Sequence, residues 1–296
     1  LKILFVVNPS SGSPNKKKII EEIKVFCSQS RHQTELWFWE PAEALEIKLR
    51  QALDEGVEIV AAVGGDGTIH HIASYLYYTP VALAIIPGGT GNGIAWHLGI
   101  SRNPSKALAL LDNPVFEVID TGMVDGKPFV GFTGFGVDAQ VAHSFVGVKK
   151  RSLYRYIWLS IWHYFRTPHE NYELYLDCST EPLRKKYEVL AICNTKIFGR
   201  GAVVAPLASV TDNQLDVCGL KPVMPWHLPV IAWRVFGGTI HKFSRYETVR
   251  AATVKVKRSN PDRSQIDGEA SNAGVIFEVQ VVPKSLKVVV NPHAVI

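Results

Sequence analysis

The chain has 296 residues, of which 47% are hydrophobic and 20% charged, and carries a formal net charge of +5. That balance excludes a disordered polymer and supplies enough apolar material for a substantial core without staples. The four cysteines, Cys27, Cys178, Cys193 and Cys218, are widely spaced with no CxxC pair, which argues against a zinc cluster or a disulfide framework. At roughly 100–200 residues per domain the length points to two domains. No segment reaches the ~18–20 uninterrupted apolar residues of a membrane span. The best stretch, Tyr156 to Phe165, is short and contains His163. The apolar start, Leu1 to Val7, has neither the basic lead nor the cleavage site of a signal peptide. A reduced cytoplasmic setting is therefore expected. The mild basic excess allows a nucleotide, nucleic acid or acidic lipid as partner without choosing among them.

In chain order, Ile3 to Val7 reads as a buried parallel strand. Ile19, Ile20, Ile23 and Phe26 repeat at helical spacing within a helix from Pro14 to Ser28. A strand follows over Thr34 to Trp39, then a helix over Ala42 to Asp54, with Gly56 as its C-cap. Val57 to Val63 is a second buried strand. After it come a helix from Thr68 to Tyr78, the strand Val81 to Ile86, and short helices over Asn92 to Leu98 and Ser105 to Leu111. Strand-helix alternation with short connections predicts an α/β domain with a parallel sheet and helices on both faces.

The pattern changes near Asn113-Pro114. Short strands with turn signals follow, over Phe116–Ile119, Pro128–Phe132, Tyr172–Asp177, Tyr187–Asn194, Gln214–Leu220, Ala252–Lys257, Ile276–Val281 and Ser285–Val290. One helix, Leu153 to Phe165, interrupts them. The expected domains are thus 1–113, α/β and nucleotide-binding, and 114–296, β-rich and antiparallel, with the last residues as candidates to return to the first domain.

Ligands of open α/β sheets bind beyond the carboxyl ends of the strands. Three glycine-bearing loops occupy that edge: Asn8-Pro9-Ser10-Ser11-Gly12, Gly64-Gly65-Asp66-Gly67-Thr68, and Pro87-Gly88-Gly89-Thr90-Gly91-Asn92-Gly93. Glycines let backbone approach phosphate oxygens, and N–H groups at a helix start hold the anion. None of the loops fits GxxxxGK[ST] or GxGxxG, so an ordinary P-loop is not indicated and nicotinamide binding is a minor alternative.

These loops resemble the diacylglycerol kinase catalytic domain superfamily, which includes bacterial soluble diacylglycerol and lipid kinases and the sphingosine kinases. The resemblance continues in Asp120-Thr121-Gly122, in Gly134-Phe135-Gly136-Val137-Asp138-Ala139 and in Asp267-Gly268-Glu269. It implies a fold like that of diacylglycerol and NAD kinases. It also implies transfer of the γ-phosphoryl group of ATP to a lipid hydroxyl (diacylglycerol, sphingoid or related) in a cleft between the domains, with Mg2+. By position, Asn8, Pro9, Ser10, Ser11, Gly12, Trp39, Gly64, Gly65, Asp66, Gly67, Thr68, Gly89, Thr90 and Asn92 would line the nucleotide, with Glu40 near it. Asp66 would lie by the phosphates and metal. Glu269 is the first choice as base and Asp267 the second, and Asp120 and Asp138 are candidates on the substrate side. Asp-Gly is also a hairpin signal in its own right.

The segment from Pro206 to Asp216 resembles a family loop that holds a structural Mg2+. The matching positions are Ser209, Asp212 and Gln214, with Asn213 where the family has Gly. Gly93 stands where many members carry Asp, although sphingosine kinases have a small residue there. Two readings stand beside the lipid kinase: a NAD kinase-like small-molecule kinase, and a nucleotide-binding lipid sensor without turnover.

Phe145, Tyr154, Tyr156, Ile157, Trp158, Ile161, Trp162 and Phe165 form an aromatic-rich helical stretch, and Met224, Trp226, Leu228, Trp233 and Phe236 form a second. Helical spacing of aromatics favours core packing. The adjacent Lys149, Lys150, Arg151 and Arg155 suit instead an interface with anionic lipid. The expected partner is a lipid substrate at a membrane surface, by peripheral contact. A homodimer is allowed. No nucleic acid is expected, because the basic residues do not alternate with aromatics along the predicted strands.

Overall fold

The computed structural model describes residues 1–9, 16–39, 42–148 and 153–294. The chain divides into two compact units, Leu1–Ile119 with Lys284–Ile296, and Asp120–Pro283.

The first unit is an α/β layer structure. Its elements are β1 (Lys2–Val7), α1 (Lys16–Gln29), β2 (Gln33–Phe38), α2 (Ala42–Asp54), β3 (Ile59–Gly64), α3 (Asp66–Leu76), β4 (Ala82–Pro87), α4 (Gly93–His97) and α5 (Pro104–Ala109). The strands run parallel in the order β2-β1-β3-β4. β3 and β4 are buried at every position, as strands covered on both faces must be. α3 lays Ile69, Ile72, Ala73 and Leu76 on the core, an i, i+3, i+4, i+7 face. α5 starts conventionally: the Asn103 side chain accepts from Ser105 N at 3.0 Å, and Pro104 follows at the first turn.

β5 (Val115–Val124) carries the chain into the second unit, which is antiparallel. It continues with β6 (Lys127–Phe129), β7 (Phe132–Gly136), α6 (Val137–His143), α7 (Leu153–Tyr164), β8 (Glu170–Leu176), β9 (Leu183–Tyr187), β10 (Val189–Cys193), β11 (Ile197–Gly199), β12 (Ala202–Val203) and β13 (Leu215–Leu220). The remainder is α8 (Leu228–Phe236), β14 (Tyr246–Ala251), β15 (Thr253–Arg258), β16 (Asp262–Ile266), β17 (Glu269–Ala273) and β18 (Ile276–Val290). One sheet has the order β14-β13-β10-β7-β16-β17. In the other, β15 pairs with β8 and with the first half of β18, and β8 pairs with β9.

Side chains from both sheets share one core. Phe135 stacks on Phe277 with ring centroids 4.5 Å apart, and Phe129, Tyr172 and Leu190 are buried in the same cluster. The two late strands expected over 276–281 and 285–290 are a single strand, β18, which pairs with β15 and returns to the first unit to place Val288 beside Leu83 in parallel. The hairpin β16–β17, helix α6 and strand β14 fall in stretches whose sequence shows no clear period.

Candidate phosphoryl-transfer residues

In the first unit, the loops after β1, β3 and β4 are drawn together by backbone and side-chain bonds. Asn8 N donates to Val63 O at 3.1 Å, and Gly88 N donates to Gly64 O at 2.7 Å. The Asn8 Nδ2 donates to Thr68 Oγ1 at 2.9 Å, which ties the first loop to the first turn of α3. Gly65 and Gly89 meet backbone to backbone. A Cβ on Gly89 would lie 2.4 Å from Gly65 Cα, so no other residue fits there. Thr68 is buried, while Gly65, Asp66, Gly67, Gly89 and Thr90 are half-buried, leaving backbone at the sheet edge within reach of a ligand. Asp66 opens α3, with Gly65 as an extended N-cap.

Asn92 has a different task from its neighbours. It is buried and left-handed, with φ 55°. Its Oδ1 accepts from Gly89 N at 3.0 Å and its Nδ2 donates to Gly89 O at 2.8 Å. The side chain thus closes the loop on itself and sets Thr90 and Gly91 between two fixed points. Trp39 is half-buried, edge-on to His71 at 5.5 Å, and His71 in turn meets His70 at 5.7 Å. Pro9 is exposed. Ser10, Ser11, Gly12 and Glu40 lie outside the described residues.

In the second unit, Asp267-Gly268 is the two-residue turn of the β16–β17 hairpin. Both residues have positive φ, 49° and 82°, and Ile266 pairs with Glu269 across it. This is the geometry that Asp-Gly favours. The two acids of the turn differ in surroundings. Asp267 is buried, and its carboxylate accepts from the N–H groups of Val130 (2.8 Å), Gly131 (2.7 Å) and Phe132 (3.0 Å). It holds the turn to the start of β7. Glu269 is half-buried at the first position of β17.

A buried polar network surrounds that anchor. Asn194 Nδ2 donates to Asp120 O at 2.8 Å and Val130 O at 2.9 Å, and Asp120 Oδ2 accepts from Asn213 N at 2.7 Å. Asp120 thereby fastens β5 to the loop before β13. Gln265 forms a second link. Its Nε2 donates to Asp138 Oδ2 at 2.8 Å, and its Oε1 accepts from Gly268 N at 2.7 Å. The Tyr156 hydroxyl of α7 donates to the other Asp138 oxygen at 3.2 Å. Burial pushes the Asp138 carboxyl above its ordinary range, and the Gln265 and Tyr156 bonds partly offset this. Nothing in the sequence period singles out Gln265 or Asn194; only the pairing of distant segments reveals them.

Around the 209–214 loop, Ser209 Oγ and Thr211 Oγ1 are 3.2 Å apart, and Asp212 Oδ1 accepts from Gln214 N at 3.1 Å. Asp212 Oδ2 faces Arg250 Nη1 at 3.6 Å, and Arg250 Nε lies 3.6 Å from Asp216 Oδ1. Asn213 adopts φ 58°, so the turn forms without glycine. A guanidinium therefore already faces the carboxylates that a structural cation would use. Among the described residues no group of three or more His, Cys, Asp or Glu is arranged to hold a metal. A magnesium ion arriving with phosphates needs only one or two carboxylates, and Asp66 fits that demand.

A parallel α/β unit with glycine loops at its strand ends is joined to an antiparallel β unit, a two-part architecture shared with solved diacylglycerol and NAD kinase structures. Residues 2–124 match the diacylglycerol kinase catalytic domain, and residues 131–290 match the YegS C-terminal NAD kinase beta sandwich-like domain. A Pseudomonas aeruginosa protein named "Probable lipid kinase YegS-like" is 30% identical, over 84% of this chain and 82% of its own. In fold, the crystal structure of a diacylglycerol kinase from Bacillus anthracis aligns with a TM-score of 0.73 at 16% identity, covering 99% of this chain and 98% of that one. An NAD kinase from Archaeoglobus fulgidus in complex with ATP aligns with a TM-score of 0.54 at 14% identity, over 99% of this chain and 94% of that one. The chain belongs to the family that joins a diacylglycerol kinase catalytic domain to a YegS C-terminal domain, and a kinase activity goes with that membership.

Proposed function

We propose that this chain transfers the γ-phosphoryl group of ATP to the hydroxyl of a lipid of the diacylglycerol or sphingoid kind, with Glu269 as general base. One observation carries the choice of base: Asp267 spends its carboxylate on three backbone N–H groups, whereas Glu269 stands half-buried beside it. A base must be able to accept the substrate proton, and a carboxylate holding three N–H groups is poorly placed to do so.

The residues assigned to phosphate belong to the first unit and Glu269 to the second. Backbone N–H groups at the loops after β3 and β4 bind phosphate oxygens, with Thr90 beside them and the N-terminus of α3 favouring negative charge. Asn8 and Thr68 keep the first of these loops in register. Asp66 would hold the nucleotide's magnesium, which when bound would supply charge neutralisation at the phosphates. Gly93 leaves the third loop without a carboxylate. Glu269 takes the proton from the lipid hydroxyl as its oxygen attacks the γ-phosphorus and the bond from that phosphorus to the bridging oxygen of the departing ADP breaks. Asp138 and Gln265 fix the turn that presents it.

The test is transfer of label from [γ-32P]ATP to a lipid extract. Wild-type protein is expected to label an organic-soluble product, Asp66→Asn and Glu269→Gln to label almost none, and Asp267→Asn to fail through stability. Full activity in both of the first two variants overturns the assignment. ATP binding without transfer to any lipid favours a sensor, and transfer to a water-soluble alcohol alone favours a small-molecule kinase.

A further inference from the structure

Helix α7 wears its apolar stripe outward. Tyr154, Ile157, Trp158, Ile161, Trp162 and Phe165 recur at i, i+3, i+4, i+7, i+8 and i+11, and all six are exposed. The expectation that these aromatics pack in the core is overturned. The opposite side of the helix buries Leu159 and His163, with Ser144 Oγ 2.7 Å from His163 Nε2. The second aromatic stretch continues the surface. Tyr164 packs with Val223, Ile231 and Val235, and its hydroxyl donates to Val223 O at 2.6 Å. From there Trp226 and Trp233 project outward, 70% and 72% exposed.

We propose that the outward faces of α7 and α8 form a docking surface for an anionic lipid bilayer. Charge selects this occupant. Residues 139–148, 153–169 and 217–246 contain six Lys and Arg and no Asp or Glu, more than the whole chain's excess of five. The segments that carry the exposed aromatics are thus net positive. Arg166 lies 4.3 Å from the Trp162 ring centroid, so a cation and an indole share one spot. Tryptophan and tyrosine beside basic side chains are suited to the headgroup layer. A second copy of the chain would set this net-positive surface against itself, like charge on like. No described helix is long and apolar enough to cross a membrane. The inference rests on exposure and charge and goes beyond the phosphoryl-transfer chemistry.

The experiment is flotation of the full chain with vesicles of phosphatidylcholine alone and of phosphatidylcholine mixed with phosphatidylglycerol, together with tryptophan emission. Wild type is expected to float with the anionic vesicles, with a blue-shifted emission, and to be released by salt. Trp158→Gln combined with Trp233→Gln is expected to weaken partitioning about tenfold or more at an unchanged melting temperature. Lack of flotation with anionic vesicles at low salt overturns the proposal, as does a variant that floats like wild type. So does a wild-type dimer that the double variant dissociates while neither protein binds vesicles. Transfer to lipid in detergent micelles is measured separately. Flotation without transfer supports the surface and removes the kinase reading; transfer without flotation does the reverse.

Discussion

Gln265 joins Asp138 to the turn before Glu269: it donates to the Asp138 carboxylate at 2.8 Å and accepts from Gly268 N at 2.7 Å. The amide is 1% exposed, so both bonds are made away from water. Gln265→Leu keeps the volume and removes them. Because small displacements at a reacting group cost up to about 100-fold, the variant should lower kcat about 10–100-fold at an unchanged KM for ATP. Steady-state kinetics check this; an equal loss in ATP affinity would place the effect in the first unit.

The close approach of Gly65 and Gly89 predicts that Gly89→Ala disrupts the nucleotide loops. Its Cβ has 2.4 Å to the Gly65 Cα and 2.9 Å to Asn92 Oδ1, both inside contact distance. A stability loss of about 1–3 kcal/mol and a weakened ATP response in thermal melts are expected.

Glu188 gives a pH dependence. It is buried, and burial raises its carboxyl to about 7 from 4.5, only partly countered by the bond from Val223 N. The folded state therefore holds this proton more tightly than the unfolded state. Stability from this group is present below about 4.5 and falls as pH rises toward 7. Glu188→Gln should be near neutral at pH 5 and stabilising by about 1–3 kcal/mol at pH 8. Denaturant melts at the two pH values measure it, and an equal effect at both would contradict the assignment.

Arg258 is a buried cation at the base of the β16–β17 hairpin. Its guanidinium donates to the carbonyls of Gly274 (3.0 Å), Asp262 (2.8 Å) and Ala273 (2.6 Å), with Glu170 at 3.8 Å and the Phe277 ring at 5.4 Å. Arg258→Ala should cost about 3–5 kcal/mol, because it strands three carbonyls and a carboxylate. Arg258→Lys should recover only part of this, since an ammonium cannot reproduce the fork.

Periodicity and loop chemistry made the first unit legible. β3 and β4 are continuous apolar runs, and α3 repeats at helical spacing. The second unit was less so. The β16–β17 hairpin has polar strands, DRSQI and EASNA, whose stability comes from partners such as Arg258 that no local pattern shows. The outward aromatic stripe of α7 reads like a core stripe, because spacing reveals that a face exists but not what covers it. The motif residues themselves were visible, but their division of labour was not. Asn92 and Asp267 hold backbone, and sequence alone does not separate such anchors from ligand-binding neighbours.

The central claim is phosphoryl transfer to a lipid hydroxyl with Glu269 as base. The most direct test is the single-turnover rate of labelled phosphate from ATP to diacylglycerol or a sphingoid base in mixed micelles, wild type against Glu269→Gln. Labelled lipid is expected with wild type, and a rate about 100- to 10,000-fold lower in the variant, at unchanged ATP affinity. An equal rate in the variant, or no labelled lipid with wild type, would contradict it.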